Sequence, residues 1–82
     1  MKFMATLRFR PEDRAEINAH IPQEQEQVNV LRQQGVVEAI YVAAAGSPVW
    51  IVMQAESQDK ARESLQTLPL YPFMEVEYTS LL

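Results

Sequence analysis

Apolar and polar side chains alternate along the first ten residues. The odd-numbered positions are apolar, namely Phe3, Ala5, Leu7 and Phe9. The even-numbered positions are mostly polar and include Lys2, Thr6, Arg8 and Arg10. Successive side chains of a β-strand point to opposite faces of its sheet. The alternation therefore predicts a strand over residues 2–10 with one buried face.

A long and mostly polar segment follows, in which apolar residues recur at helical spacing. Asp13 and Glu16 stand three positions apart, which is the spacing of a capping box at a helix start. Gly35 suits the left-handed residue that commonly follows a helix end. Pro22 lies inside the segment, lacks a backbone N–H and crowds the preceding turn. We therefore expect either one helix kinked at Pro22 or two helices, the second beginning there.

Two strands and a turn occupy the middle of the chain. Residues 36–45 are mostly β-branched or small and carry one charge, which favours a strand buried on most of both faces. Residues 46–48 are Gly-Ser-Pro, a turn signal, and residues 49–55 are again rich in β-branched side chains. This arrangement predicts a β-hairpin.

The last third of the chain predicts a helix and a strand. Ser57 is a good N-cap residue, and Pro69 stops the helix. The apolar residues between them share one helix face: Ala61, Leu65 and Leu68. Residues 73–81 alternate between apolar and polar side chains, which indicates a final strand.

The predicted order is β-α-β-β-α-β, that of a single ferredoxin-like α+β domain over residues 1–82. Two helices would cover one face of a four-stranded antiparallel sheet. The right-handed crossover rule places the first strand between the third and the fourth. The helix-free face would still hold apolar side chains, drawn from Met4, Ile40, Val42, Trp50 and Val52. Burying that face is favourable, so we expect a homodimer formed by stacking two sheets.

Composition and charge exclude several classes of function. Seven basic and eleven acidic residues give a net charge of -4, which argues against binding to nucleic acids or anionic membranes. No apolar run is long enough to span a bilayer, and the chain start does not resemble a signal peptide, so we expect a cytoplasmic protein. With no cysteine and one histidine, we expect no metal site.

Residues 68–77 read Leu-Pro-Leu-Tyr-Pro-Phe-Met-Glu-Val-Glu. This segment resembles the Leu-Pro-Leu-aromatic-Pro-aromatic-Met-acid-aliphatic-Glu signature of the muconolactone isomerase family. The resemblance extends back to about residue 24 and includes the helix end at residues 31–35. It implies a dimeric α/β barrel, often assembled into larger rings of dimers. It also implies that Glu24 matches an acidic position of the family.

The family activity moves a double bond in a small unsaturated lactone that carries a carboxylate. The resemblance therefore implies a cofactor-free enzyme for a small, mostly apolar carbonyl compound. Such chemistry needs a base, an acid and a dry pocket, and one residue can carry out both proton transfers. The basic and imidazole side chains of the family's first two strands have no counterpart here, since those positions hold Met4, Thr6, Tyr41 and Val42.

His20 and Glu24 are the candidate catalytic residues. They are four positions apart and would face the same way on an unbroken helix. A carboxylate beside the imidazole would favour its charged form and could poise a proton shuttle. The alternative is that Pro22 breaks this geometry and both side chains are solvated.

Further candidates would bind a ligand. Tyr41, Trp50, Tyr71 and Phe73 can line a pocket for a flat organic molecule, or they can serve ordinary core and interface packing. Glu38 is the single charge of its strand. If it is buried, its pKa would be raised and it could act as an acid or base; if it is at an exposed strand start, it has no such role.

Two functions therefore stay open. The first is a cofactor-free double-bond isomerase of the muconolactone isomerase type. The second is a non-catalytic small-molecule-binding or oligomerisation domain of the same fold. The family signature in residues 68–77 favours shared architecture and does not choose between them.

Overall fold

The computed structural model describes all 82 residues and has the predicted βαββαβ order. Its elements are β1 (Lys2–Phe9), α1 (Arg14–Gln33), β2 (Val37–Val42), β3 (Val49–Gln54), α2 (Gln58–Gln66) and β4 (Met74–Leu81), with 3-10 turns at Pro11–Asp13 and Tyr71–Phe73. The strands form one antiparallel sheet in the order β2-β3-β1-β4. The ferredoxin-like fold class is confirmed, and so is the central position of β1 between β3 and β4.

Helix α1 runs unbroken through Pro22, so the predicted alternative of two separate helices is wrong. At its C-terminal end Gly35 adopts a φ of 78°, as expected for the residue after a helix. The Gly35 N–H donates to the Arg32 carbonyl and the Val36 N–H to the Leu31 carbonyl, each at 3.0 Å. This pair of hydrogen bonds is a Schellman motif, and it fixes the helix end that carries Arg32.

The predicted capping box at the start of α1 does not form. Asp13 occupies the N-cap position but its side chain caps no backbone N–H. Its Oδ2 instead accepts a hydrogen bond of 3.0 Å from Arg10 Nε. A cationic donor attracts the carboxylate more strongly than a neutral N–H does. At the second helix the prediction holds, because the Ser57 hydroxyl accepts from the Lys60 N–H at 3.2 Å.

The core lies between the two helices and one face of the sheet. Twelve residues are buried, and all are apolar: Phe3, Ala5, Leu7, Leu31, Val37, Ile51, Met53, Ala61, Leu65, Leu68, Leu70 and Met74. They include the predicted face of α2 and, from the predicted inward parity of β1, Phe3, Ala5 and Leu7; the fourth residue, Phe9, is partly buried. Since all twelve belong to this one cluster, the opposite face of the sheet contributes nothing to the core.

Strand β2 departs from its prediction. It lies at the edge of the sheet, and Tyr41 and Val42 are 60% and 62% exposed. The expectation of a strand buried on both faces is therefore wrong. Ile40 and Val42 pair with Ile51 and Val49, which places them on the helix side of the sheet and not on the helix-free face.

Candidate functional site

A cleft of about 450 Å³ opens between α1 and the helix side of the sheet. Its apolar walls come mainly from the strands and from the turn after α2: Leu7, Phe9, Ile40, Val42, Val49, Ile51 and Leu70. Its other wall is one face of α1, formed by Glu24, Gln25, Val28, Asn29 and Arg32. The cleft thus combines apolar walls with a few polar groups on one side, the usual composition of a small-molecule site.

The polar wall of the cleft follows from helical geometry. Glu24, Val28 and Arg32 are spaced four residues apart and lie on one side of α1. This alignment requires a helix that continues past Pro22, as observed. Arg32 and Glu24 therefore lie about two helical turns apart on the same wall of the cleft.

Glu24 is anchored and partly desolvated. Its Oε1 accepts a hydrogen bond of 3.0 Å from the backbone N–H of Leu70. Burial raises the pKa of the Glu24 carboxyl above its ordinary value of 4.5, while the Leu70 hydrogen bond opposes the shift. A raised pKa makes the Glu24 carboxylate a stronger base, which favours removal of a proton from carbon.

Arg32 is the cation of the cleft, and sequence reasoning did not select it. The ion pairs of the molecule involve Lys2, Arg8, Arg10, Lys60 and Arg62. Arg32 has no carboxylate within 4.0 Å, so its guanidinium is available to an anionic ligand. The signal that identifies it is its spacing of eight residues from Glu24 on the same helix face.

His20 does not join Glu24 in the structure. Its Nδ1 lies 2.7 Å from the Glu16 carbonyl oxygen, which can only accept, so Nδ1 carries the proton. The imidazole ring packs against Phe73, with ring centroids 5.9 Å apart. His20 does not line the cleft. The two candidate catalytic residues therefore make separate contacts, Glu24 with Leu70 and His20 with Glu16 and Phe73.

The four candidate aromatic residues do not converge on one pocket. Tyr41 and Trp50 are cross-strand partners on the helix-free face of the sheet. Tyr71 and Phe73 belong to the 3-10 turn before β4 and pack against the core. None of the four lines the cleft. In the single chain Tyr71 and Phe73 pack against the core, whereas Tyr41 is 60% exposed.

Glu38 is exposed, so the interpretation as a buried acid or base is wrong. Its carboxylate accepts a hydrogen bond of 2.6 Å from Gln54 Nε2 and lies 3.4 Å from Lys2 Nζ. The Gln54 hydrogen bond, and after it the Lys2 ammonium, hold the pKa of Glu38 below its ordinary value. A carboxyl of this kind stays ionised at neutral pH.

Comparison with known proteins identifies the family. The family model described as muconolactone delta-isomerase matches residues 1–82. The chain belongs to this family. A crystal structure of muconolactone isomerase superposes with a TM-score of 0.79, covering 99% of this chain and 88% of the other at 23% identity. No curated protein matches the chain.

The family resemblance of residues 68–77 now has a structural location. Leu70 lies within this segment, lines the cleft with its side chain, and donates its N–H to Glu24. The segment that signals the family is thus in direct contact with the acidic side chain matched to the family.

Two further observations concern metal ions and membranes. No three His, Cys, Asp or Glu side chains come together in a way that could hold a metal ion. Neither helix combines the length and the apolar character needed to cross a bilayer.

Proposed function

We propose that this protein is a cofactor-free isomerase that moves a double bond in a small unsaturated lactone or a related carbonyl compound carrying a carboxylate. The observation that supports the proposal most is Glu24, a partly buried carboxyl with a raised pKa, fixed by the Leu70 N–H beside an apolar cleft. Membership of the muconolactone delta-isomerase family supports the reaction class.

The proposed reaction needs one proton carrier. The Glu24 carboxylate removes a proton from the carbon conjugated to the substrate carbonyl, and the C–H electron pair moves through the double bond onto the carbonyl oxygen. The resulting dienolate then takes the same proton from the Glu24 carboxylic acid at the carbon next to the carbonyl. The double bond has moved, and Glu24 is ionised again, so protons and electrons balance.

Other groups of the cleft assist these steps. Gln25 and Asn29 share the polar wall with Glu24, and their amide N–H groups can donate to the oxygen that becomes negative. Arg32 can hold the substrate carboxylate through two parallel hydrogen bonds. The apolar strand residues give the cleft a weakly polar surface, which disfavours hydrolysis of a lactone.

The test is the substitution Glu24→Gln, assayed by the ultraviolet absorbance change as the double bond migrates in muconolactone and in related unsaturated lactones. Gln keeps an oxygen that can accept from Leu70 but cannot take a proton from carbon. We expect the rate to fall at least about a hundredfold. Glu26→Gln is the matched control, because Glu26 is exposed, lies on the same helix and does not line the cleft.

The proposal is wrong if Glu24→Gln and Glu26→Gln retain equal rates. If the wild type shows no turnover but binds the lactones in calorimetry, the protein is instead a non-catalytic small-molecule-binding domain. The fold alone would be compatible with either result.

We also propose that two copies pair through the helix-free face of the sheet. Met4, Trp50 and Val52 lie at its centre, each only partly buried, and Tyr41 beside them is 60% exposed. Stacking two such faces would remove this apolar surface from water. Assembly of the dimers into larger rings is the further expectation from the family resemblance.

A further inference from the structure

A second cavity, of about 530 Å³, lies between the first half of α1, the end of β1 and the turn after β2. It is lined by Phe9, Arg10, Pro11, Arg14, Ile17, Asn18, Ile21, Ala45, Gly46, Ser47 and Leu70. We name it the Arg14 cavity. Its charged lining residues are two arginines, and no carboxylate lines it. This local excess of positive charge occurs in a chain whose net charge is -4.

The two arginines are not equivalent. Arg10 Nε donates to Asp13 Oδ2 at 3.0 Å, and its Nη2 donates to the Pro72 carbonyl, so its guanidinium is held and largely neutralised. Arg14 forms no ion pair with any carboxylate of the chain. Asn18 lies one helical turn further along the same cavity wall and offers an amide donor.

The remaining walls are largely apolar. Phe9 and Ile17 are partly buried, and Ile21 is 38% exposed, although it is a large aliphatic residue. A small anion without an apolar part would leave the apolar side chains of the cavity exposed to water. A ligand with an apolar body and a single anionic end would satisfy both parts of the cavity.

We propose that the Arg14 cavity binds an amphipathic organic carboxylate, with its acid group on Arg14 and its apolar body against Phe9, Ile17 and Ile21. The site is separate from the cleft that contains Glu24. Arg14 and Glu24 are ten residues apart, or about 15 Å along the helix. The two sites share only Phe9 and Leu70.

The test is a titration of the ¹⁵N-labelled protein with 4-phenylbutyrate and, separately, with its neutral amide, followed by amide chemical shifts. The acid should shift signals of residues 14–21 and 45–47, with affinity about tenfold above that of the amide, since an ionic hydrogen bond contributes about that factor. Arg14→Gln should reduce the affinity for the acid by the same factor and leave that for the amide unchanged. The control Lys60→Gln removes an equal charge on α2 and should change neither.

Several results would overturn the proposal. Equal affinity for acid and amide would show that Arg14 does not recognise the charge. Shifts confined to residues 24–32 would place the ligand in the cleft instead. If the amide chemical shifts of residues 14–21 change with protein concentration in the absence of ligand, a second copy of the protein occupies the cavity. Binding in the Glu24→Gln variant should match the wild type, so this proposal and the proposed isomerase activity fail independently.

Discussion

Replacing Arg32 by Gln tests how the cleft would hold its substrate. Arg32 makes no ion pair, so the substitution leaves no carboxylate of the protein without a partner. The Schellman motif uses its backbone carbonyl, which Gln also has. Gln is nearly as good a helix former as Arg, so the free energy of unfolding should change by only a few tenths of a kcal/mol.

The expected effect on activity follows from the hydrogen bonds lost. A hydrogen bond to a charged group contributes about 1.5–3 kcal/mol. Removing it should lower kcat/KM for a carboxylate-bearing lactone by roughly 10- to 150-fold. Arg32 would bind a group that does not change during the reaction, so most of the loss should appear in KM. The methyl ester of the same lactone has no charge for Arg32 to bind, and its kcat/KM should stay nearly constant.

The assay is the absorbance change on double-bond migration, with the acid and its methyl ester as parallel substrates. Lys60→Gln is the control, since it removes one positive charge far from the cleft. A loss of equal size for acid and ester would refute the role of Arg32 as the carboxylate-binding group. So would an equal loss in the Lys60→Gln variant, which would indicate a general effect of net charge.

Three further predictions concern stability and association. Leu68→Ala removes a buried side chain and should lower the free energy of unfolding by ~2–5 kcal/mol in chemical denaturation; a midpoint shift too small to resolve would contradict this. Folding raises the pKa of Glu24 above its unfolded value of 4.5. At a pH above the folded-state pKa, the ionised carboxylate therefore lowers the free energy of unfolding, and at a pH below 4.5 this loss disappears. The Glu24→Gln variant should therefore be more stable than the wild type at pH 7, and the difference in their free energies of unfolding should disappear by about pH 3. An equal difference at both pH values would contradict this prediction. Trp50→Glu places a charge on the helix-free face and should convert the proposed homodimer into a monomer in light scattering at micromolar concentration, whereas a persistent dimer would exclude this face as the interface.

Local sequence rules determined most of the fold correctly because several of them agree. The alternation in β1 places Phe3, Ala5 and Leu7 in the core, and all three are buried. Gly35 adopts the left-handed conformation that its position after α1 requires. The β-α-β-β-α-β order and the crossover rule then fix the position of β1 in the sheet.

The two errors of fold prediction have different causes, one tertiary and one local. The β-branched composition of β2 suggested burial on both faces, but an edge strand beside an uncovered sheet face stays exposed at Tyr41. The spacing of Asp13 and Glu16 suits a capping box, but Arg10 competes successfully for the Asp13 carboxylate. The edge position of β2 depends on the whole sheet, whereas the Arg10 side chain that takes the Asp13 carboxylate is only three residues away.

The candidate site was predictable only in part. Glu24 followed from the family resemblance, and the structure places it in the cleft. The aromatic candidates were selected by residue type, and strand parity places Tyr41 and Trp50 on the opposite face of the sheet. Arg32 was missed because α1 is polar on most of its surface, so the sequence alone does not show which side faces the cleft.

The hydrogen bond from Leu70, which lies within residues 68–77, to Glu24 links the family signature to the proposed chemistry. Helix α2 ends at Gln66, and Pro69 cannot continue it, so the Leu70 N–H needs an acceptor outside a helix. Glu24 supplies that acceptor and is thereby held against the cleft wall that the Leu70 side chain forms. Burial in this position raises the pKa of Glu24, and the Leu70 hydrogen bond limits the rise. A base that must take a proton from carbon and then return it needs both influences, because burial favours the protonated form and the N–H favours the carboxylate.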